Sequence, residues 1–361
     1  MQRTGSITLL LHSGKTPRWL FQRMVRLSKA IADVLVLEHG PGELLRRLSD
    51  PLWFQALGCT LAFDWHSSGL TTTTCAALKL ALSPEEHGIG VAGGKGLASR
   101  RAPEEISVLG EKLSLSDKKI SSIVRASFLS AKVDSACVQD SHELYHHCIF
   151  FTERGAWCVV QQGMKPDAGT ARRYHWLGEK VGSFVEEPHA AIVAQAAERS
   201  VLDLTSSKND AVRKASVDLV NDNPIHLQKY FSGQRTLAHD FSLPSHHALL
   251  PIDISPRAWA ELQRAYELQP QNYEELVALR GIGRTKLRAL ALLSQLLFGT
   301  SLDWSDPAKY SFAHGGKDGT PFPVQKEEYE HSISMLEQAV ESAKIGDSEK
   351  LRALQRLRAY L

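Results

Sequence analysis

The chain has 361 residues, with 42 Lys+Arg against 40 Asp+Glu, 43 % hydrophobic and 23 % charged residues. That is globular usage for about two domains and excludes a disordered tail protein. No apolar run reaches the ~18–20 residues of a membrane span, and the Leu9–Leu11 patch is too short for a signal peptide. A cytoplasmic protein with no membrane partner is expected. The five cysteines form no CxxC pair, which argues against a disulfide scaffold or zinc ribbon and for small, mostly buried thiols. The net charge of +2 neither requires nor forbids a nucleic-acid partner, and nothing in the sequence fixes the oligomeric state.

Pro17 to His39 reads as one amphipathic helix, because Trp19, Leu20, Met24, Leu27, Ile31 and Val34 recur at three- and four-residue steps. Gly40-Pro41-Gly42 ends it. Arg18, Arg23, Arg26 and Lys29 lie within it, so the basic excess is local to the N-terminal part. A second helix is predicted from Glu43 to Gly58. In Phe63-Asp64-Trp65-His66-Ser67-Ser68-Gly69 and the threonines that follow, residue types that suit strands surround a turn signal. Asp64 and His66 are placed on a strand end or loop, facing the same way.

Gly88 to Gly96 is a glycine-rich stretch containing Lys95. It fails the Walker A spacing and is read as a tight turn, with an anion-binding turn as the alternative. Leu144 to Met164 reads as a β-hairpin turning at Thr152 to Gly155. From about Ala190 the chain is predicted to be helical. One helix is capped by Thr205-Ser206-Ser207 and stopped at Asn221-Asp222-Asn223-Pro224. Ser255 to Leu361 reads as helical apart from a loop over Thr300 to Pro323.

Nine of the 15 histidines fall between His142 and His247. Metal-assisted phosphodiester hydrolysis uses carboxylates and imidazoles to hold a divalent ion. Asp64, His66, Asp140, His146 and His175 are the candidate catalytic residues, with Asp140 and His146 as ligands of a Mg or Mn ion. His142, His147, His239, Asp240, His246 and His247 complete the pool. Neighbouring histidines on a strand face opposite ways, so His146 and His147 cannot both join one site. Arg172-Arg173 before Tyr174, His175 and Trp176 mixes guanidinium with aromatic faces, as suits a phosphate and a stacked base. The alternative is an arginine pair covering an aromatic core edge.

In Glu275 to Leu290, two short amphipathic helices flank Gly281-Ile282-Gly283. The glycines allow a tight bend and Ile282 plugs the joint. The second helix points its free amides and positive dipole end outward. Arg280, Arg284, Lys286 and Arg288 add cations. The segment resembles the helix-hairpin-helix motif of DNA-repair and replication proteins, which implies non-specific, salt-sensitive contact with a DNA backbone. Asp303 falls at about the spacing of the catalytic aspartate in the related glycosylases, against a capping role for Asp303 or Asp306. Lys317, in the glycine-rich loop after Ser311, is read as a further phosphate contact.

Phe63 to Gly69, Val91 to Gly96, Val159 to Met164, Ala171 to Trp176 and the Phe312 to Gly319 loop together resemble domain-of-unknown-function family 763 over nearly the whole chain. The resemblance implies no reaction. The expected architecture is α+β: a mixed domain over residues 1–190 with a His/Arg-rich cleft, a connecting segment over 191–254, and a helical domain over 255–361. The expected function is that of a DNA-binding protein of DNA processing or repair, with metal-dependent nuclease chemistry in the N-terminal domain. A non-catalytic nucleic-acid-binding module and a glycosylase using Asp303 are the alternatives.

Overall fold

The first helix, α1 (Arg18–His39), forms where the periodicity places it and buries Met24, Leu27, Ile31 and Leu35. This computed structural model describes residues 16–61, 68–194, 198, 200–223, 226, 256–308, 310–311 and 326–360. The predicted second helix is broken in two, α2 (Pro41–Ser49) and α3 (Pro51–Thr60). Pro51 cannot extend α2, while the Asp50 side chain accepts from the amides of Leu52 and Trp53 and so starts α3. Every residue of α3 is buried, Trp53 and Phe54 completely. Truncating either aromatic is expected to cost about 3–5 kcal/mol.

Two readings need correction here. The threonine run is helical, not extended: α4 (Gly69–Ala81) buries Leu70, Thr71, Thr74, Cys75, Leu78 and Ala81 at helical spacing. Burial of this stripe overrides the strand preference of threonine. After the short α5 (Pro84–His87), the glycine-rich stretch is not a turn but strand β1 (Ile89–Lys95). Its glycines permit close approach of neighbours. A Cβ on Gly93, which has φ +94, would lie 2.2 Å from the His147 carbonyl oxygen.

Helices α6 (Ala102–Lys112) and α7 (Asp117–Ala136) follow, then strands β2 (Val138–Gln139), β3 (Glu143–Thr152), β4 (Trp157–Lys165) and β5 (Thr170–Leu177). The predicted hairpin is β3–β4. The chain after Ala190 is not helical at first; it forms β6 (Ala191–Ala194) and β7 (Leu202–Asp203), then α8 (Asp210–Asn221). The C-terminal part carries α9 (Pro256–Leu268), α10 (Tyr273–Ala278), α11 (Arg284–Phe298), β8 (Tyr310–Ser311), α12 (Lys326–Ser342) and α13 (Asp347–Tyr360).

The fold is α+β. Its main sheet has the order β1-β3-β4-β5-β6-β8, antiparallel except for the parallel β6–β8 pair, and β2–β7 forms a separate ladder. Helices cover both faces. Ile149, Phe151, Val159, Tyr174 and Trp176 share one core with residues of α6 to α11. Cys148, Phe150, Cys158 and Val160 share the other with α1 to α4, α12 and α13. The helices after residue 255 therefore contribute to both cores, and the expected boundary over 191–254 does not divide one core from the next. Strands β3 to β5 are buried on both faces, so the adjacent polar pairs His146-His147, Gln161-Gln162 and Arg172-Arg173 place one member in each core. Among the described residues no helix is long and apolar enough to cross a membrane.

Candidate functional site

The polar residues of β3, β4 and β5 divide between the two faces by strand alternation. Toward α7 point His147, Gln161, Arg172 and Tyr174. Gln161 Nε2 donates to Asp134 Oδ2 at 2.6 Å, so its Oε1 accepts from His147 Nδ1 at 2.8 Å. That fixes the tautomer, and His147 Nε2 accepts from the Ser127 hydroxyl at 2.8 Å. Asp134 also takes hydrogen bonds from Trp176 Nε1 at 3.1 Å and His189 Nε2 at 2.5 Å. Burial pushes the Asp134 carboxyl up, against the pull of His189. Sequence reasoning missed Ser127, Asp134 and His189. A signal was present: Ile123, Ser127, Ser130 and Asp134 follow one core-facing stripe of α7, and polar residues on such a stripe need buried partners.

Asp140 belongs to the same face. It accepts from the His142 amide at 2.9 Å, the Tyr174 hydroxyl at 2.6 Å and Arg172 Nη1 at 3.3 Å. Burial raises its carboxyl, but the contacts from His142, Arg172 and Tyr174 outweigh it and hold the group below its usual value. Arg172 also forks onto Asp306, with Nη1 at 2.9 Å from Oδ1.

On the opposite face, β1, β3, β4 and β5 align Lys95, His146, Gln162 and Arg173 in one cross-strand row. Gln162 Nε2 donates to the Ser68 carbonyl at 2.9 Å and to the Tyr145 hydroxyl at 2.5 Å. Arg173 donates to Gln55 Oε1 at 3.0 Å and to His175 Nε2 at 2.9 Å, its guanidinium 4.7 Å from the centre of the Phe54 ring. His175 Nδ1 donates to the Leu48 carbonyl at 3.0 Å. Burial, then Arg173, keep the His175 imidazole neutral. His146 is buried and, among the described residues, has no hydrogen-bond partner at either ring nitrogen, and burial, with the nearby His147 and Lys95, brings its pKa down to about 3.

The expected cleft is therefore not formed by these residues. Asp140 and His146, the proposed metal pair, face opposite sides of the sheet. Arg172 and Arg173 are 1 % and 0 % exposed and are occupied inside the protein, so neither presents a surface to nucleic acid. The composition of this strand fits the alternative of arginines packed within the core. Asp64, His66, His239, Asp240, His246, His247 and Lys317 lie outside the described residues. Among the described residues one group, Asp33, Glu86 and His87, brings three metal-type ligand atoms together. The Lys29 ammonium already sits there, 3.0 Å from Asp33 and 2.5 Å from Glu86.

The bend expected at residue 282 is present. Helices α10 and α11 flank it, Gly281 has φ +90, and Ile282 is fully buried in the joint. Gly283 is the N-cap of α11 and supplies no side-chain cap. The space where its Cβ would lie is open. The first-turn amides of α11 thus lack helical partners at an accessible end. The cations divide. Arg284 donates to the carbonyls of Ser135 at 3.3 Å and His142 at 3.1 Å. Arg288 donates to Gln139 Oε1 at 2.7 Å, and Lys286 pairs with Glu261 at 2.6 Å and the Gly281 carbonyl at 2.9 Å. These three hold the hairpin against α7, α9 and β2. Arg280 and Thr285 are exposed.

Asp303 has the surroundings of a structural anchor. It accepts from Ser206 Oγ at 2.7 Å and from the Ser305 amide at 3.0 Å. Partial burial would raise its carboxyl, but the Ser305 and Ser206 contacts prevail and bring it down to about 2.

A family model described as "Protein of unknown function (DUF763)" matches residues 5–324. No curated protein and no solved structure matches the chain.

Proposed function

Because the chain belongs to the DUF763 family of uncharacterised proteins, its chemistry has to be read from its own geometry, and we propose that it is a non-catalytic DNA-binding protein. The α10–α11 hairpin holds a phosphate backbone without reading bases. The observation that carries this reading is the open, uncapped N-terminus of α11 at Gly283, beside the exposed Arg280, on a bend locked by buried Ile282. Amides with no helical partner, a positive dipole end and a cation form an anion site. The inward contacts of Arg284, Lys286 and Arg288 make the hairpin rigid, which lowers the ordering cost of binding. The nuclease chemistry expected from the sequence is not carried into this reading, because Asp140, His146 and His175 are buried and divided between two faces.

Fluorescence anisotropy of labelled duplex DNA over a salt series tests it. Binding should weaken with salt and be indifferent to sequence. Arg280→Glu should weaken binding and reduce the salt slope by about one. Thr285→Asp places an acid in the first turn of α11, which favours the helix but repels a phosphate. It should therefore bind DNA more weakly with no loss of melting temperature. DNA binding unchanged in both variants would remove the hairpin from the interface.

A further inference from the structure

Helices α1 and α13 enclose a cavity of about 350 Å³. Its apolar lining is Leu20, Met24, Leu27 and Leu61, with the exposed Trp19 ring beside them. Its rim is cationic, with Arg23, Arg352 and Arg356 against a single acid, Glu349. That acid is shared with Arg26, 3.5 Å away. Arg23 lies 5.3 Å from the centre of the Trp19 ring, and neither Arg23 nor Arg352 enters an ion pair among the described residues. Arg356 is half-buried, with Nε donating to the Thr60 carbonyl at 2.9 Å. Burial and the neighbouring Arg352 guanidinium lower its pKa. Two like charges are thus held side by side at an apolar cavity, with one carboxylate to balance them. Trp19 is 60 % exposed, which is unusual for so large an apolar ring.

We propose that this cavity is a nucleotide site, with an aromatic base against Trp19 and a terminal phosphate between the guanidinium forks of Arg352 and Arg356. The volume lies in the range of small-molecule sites. A base stacks on an indole and buries apolar surface of the cavity lining. A phosphate monoester carries roughly −1.5 to −2 charges and three acceptor oxygens, which match two arginine forks better than a carboxylate does. Arg23 faces the same ring and adds positive potential. The site lies on the opposite face of the sheet from the α10–α11 hairpin and does not depend on that hairpin binding DNA. The nucleotide has two sources, a free mononucleotide or the 5′-phosphorylated end of a strand.

Calorimetric titration of the full chain separates them. The probes are adenosine 5′-monophosphate, adenosine, inorganic phosphate, and pentathymidylate with and without a 5′-phosphate. The monophosphate is expected to bind one per chain, at least tenfold more tightly than adenosine or phosphate alone. Trp19→Leu and Arg352→Gln are each expected to weaken it at least tenfold without changing the melting temperature, whereas Arg280→Glu leaves it unchanged. Tight binding confined to the 5′-phosphorylated strand assigns the site to strand ends and supports the same chemistry. No binding of any phosphorylated probe overturns the proposal. So does equal affinity for adenosine and its monophosphate, or unaltered binding in both cavity variants.

Discussion

Arg172 on β5 and Asp306 beyond α11, 134 residues apart, meet in a two-pronged contact with the guanidinium 1 % and the carboxylate 4 % exposed. Asp140 accepts from Nη1 of the same guanidinium at 3.3 Å, and Asp306 also accepts from the Glu198 amide at 2.5 Å. The pair ties the segment after α11 to the middle of the sheet. Removing one partner leaves a buried charge without its full complement, which typically costs about 3–5 kcal/mol. Asp306→Ala should lower stability by that order in urea denaturation. A loss below about 1 kcal/mol would mean that water reaches the guanidinium.

His146 sets a pH dependence. Its folded pKa is depressed to about 3 by burial, by His147 and by Lys95, while an unfolded histidine titrates near pH 6.5. The unfolded chain therefore binds the extra proton between those values, so stability falls as pH drops from about 6.5 toward 3, by up to about 1.4 kcal/mol per pH unit. His146→Leu removes a buried imidazole that has no hydrogen-bond partner among the described residues and should shallow that slope by one proton, with stability at pH 7 equal or higher. Urea midpoints measured across pH 4 to 7 check this; parallel pH profiles for variant and parent would count against it.

Gly93→Ala tests the close approach of β1 to β3. The new methyl would meet the His147 carbonyl at 2.2 Å on a backbone with φ +94. Strain and overpacking each cost about 1–3 kcal/mol, so the variant should melt well below the parent. Gly96→Ala is the control. It has positive φ but open space around it, and should lose only the left-handed backbone penalty of roughly 1–2 kcal/mol.

All five cysteines are buried and in the thiol form, outside any disulfide. Burial raises the thiols of Cys75, Cys137 and Cys158, with Cys148 adding to the effect at Cys75 and Cys158. In a thiol-reagent assay the native protein should react slowly and release five equivalents only in denaturant. Rapid modification of one thiol in the native protein would show a local opening.

What the sequence made legible depended on how many neighbours a segment needs. Helix α1, the β3–β4 hairpin and the bend at Ile282 carry their signals within about twenty residues, and each was readable. Strand β1 looked like a turn because its glycines answer to His147 and Phe151 on another strand. The same holds for the charged and imidazole residues of the sheet. Arg173, His146 and Asp140 suggested a cleft because such groups are seldom fully buried. Arg173, however, meets Gln55, which is 118 residues away. Partners at that distance leave no local pattern, so residue type alone pointed to the wrong environment. The α1–α13 cavity was hidden for the same reason, although the basic bias of α1 was plain.

The consecutive imidazoles of β3 also bear on how the strand finds its place. His147 meets Ser127 and Gln161 on one side, while His146, Cys148 and Phe150 turn to the other. A one-residue slip would exchange the two sets, separating His147 from Ser127 and pushing Ile149 and Phe151 into the wrong layer. Strand β3 thus carries its own alignment key: a shifted pairing forfeits both the polar contacts of His147 and the layering of its apolar residues, which leaves one register favoured.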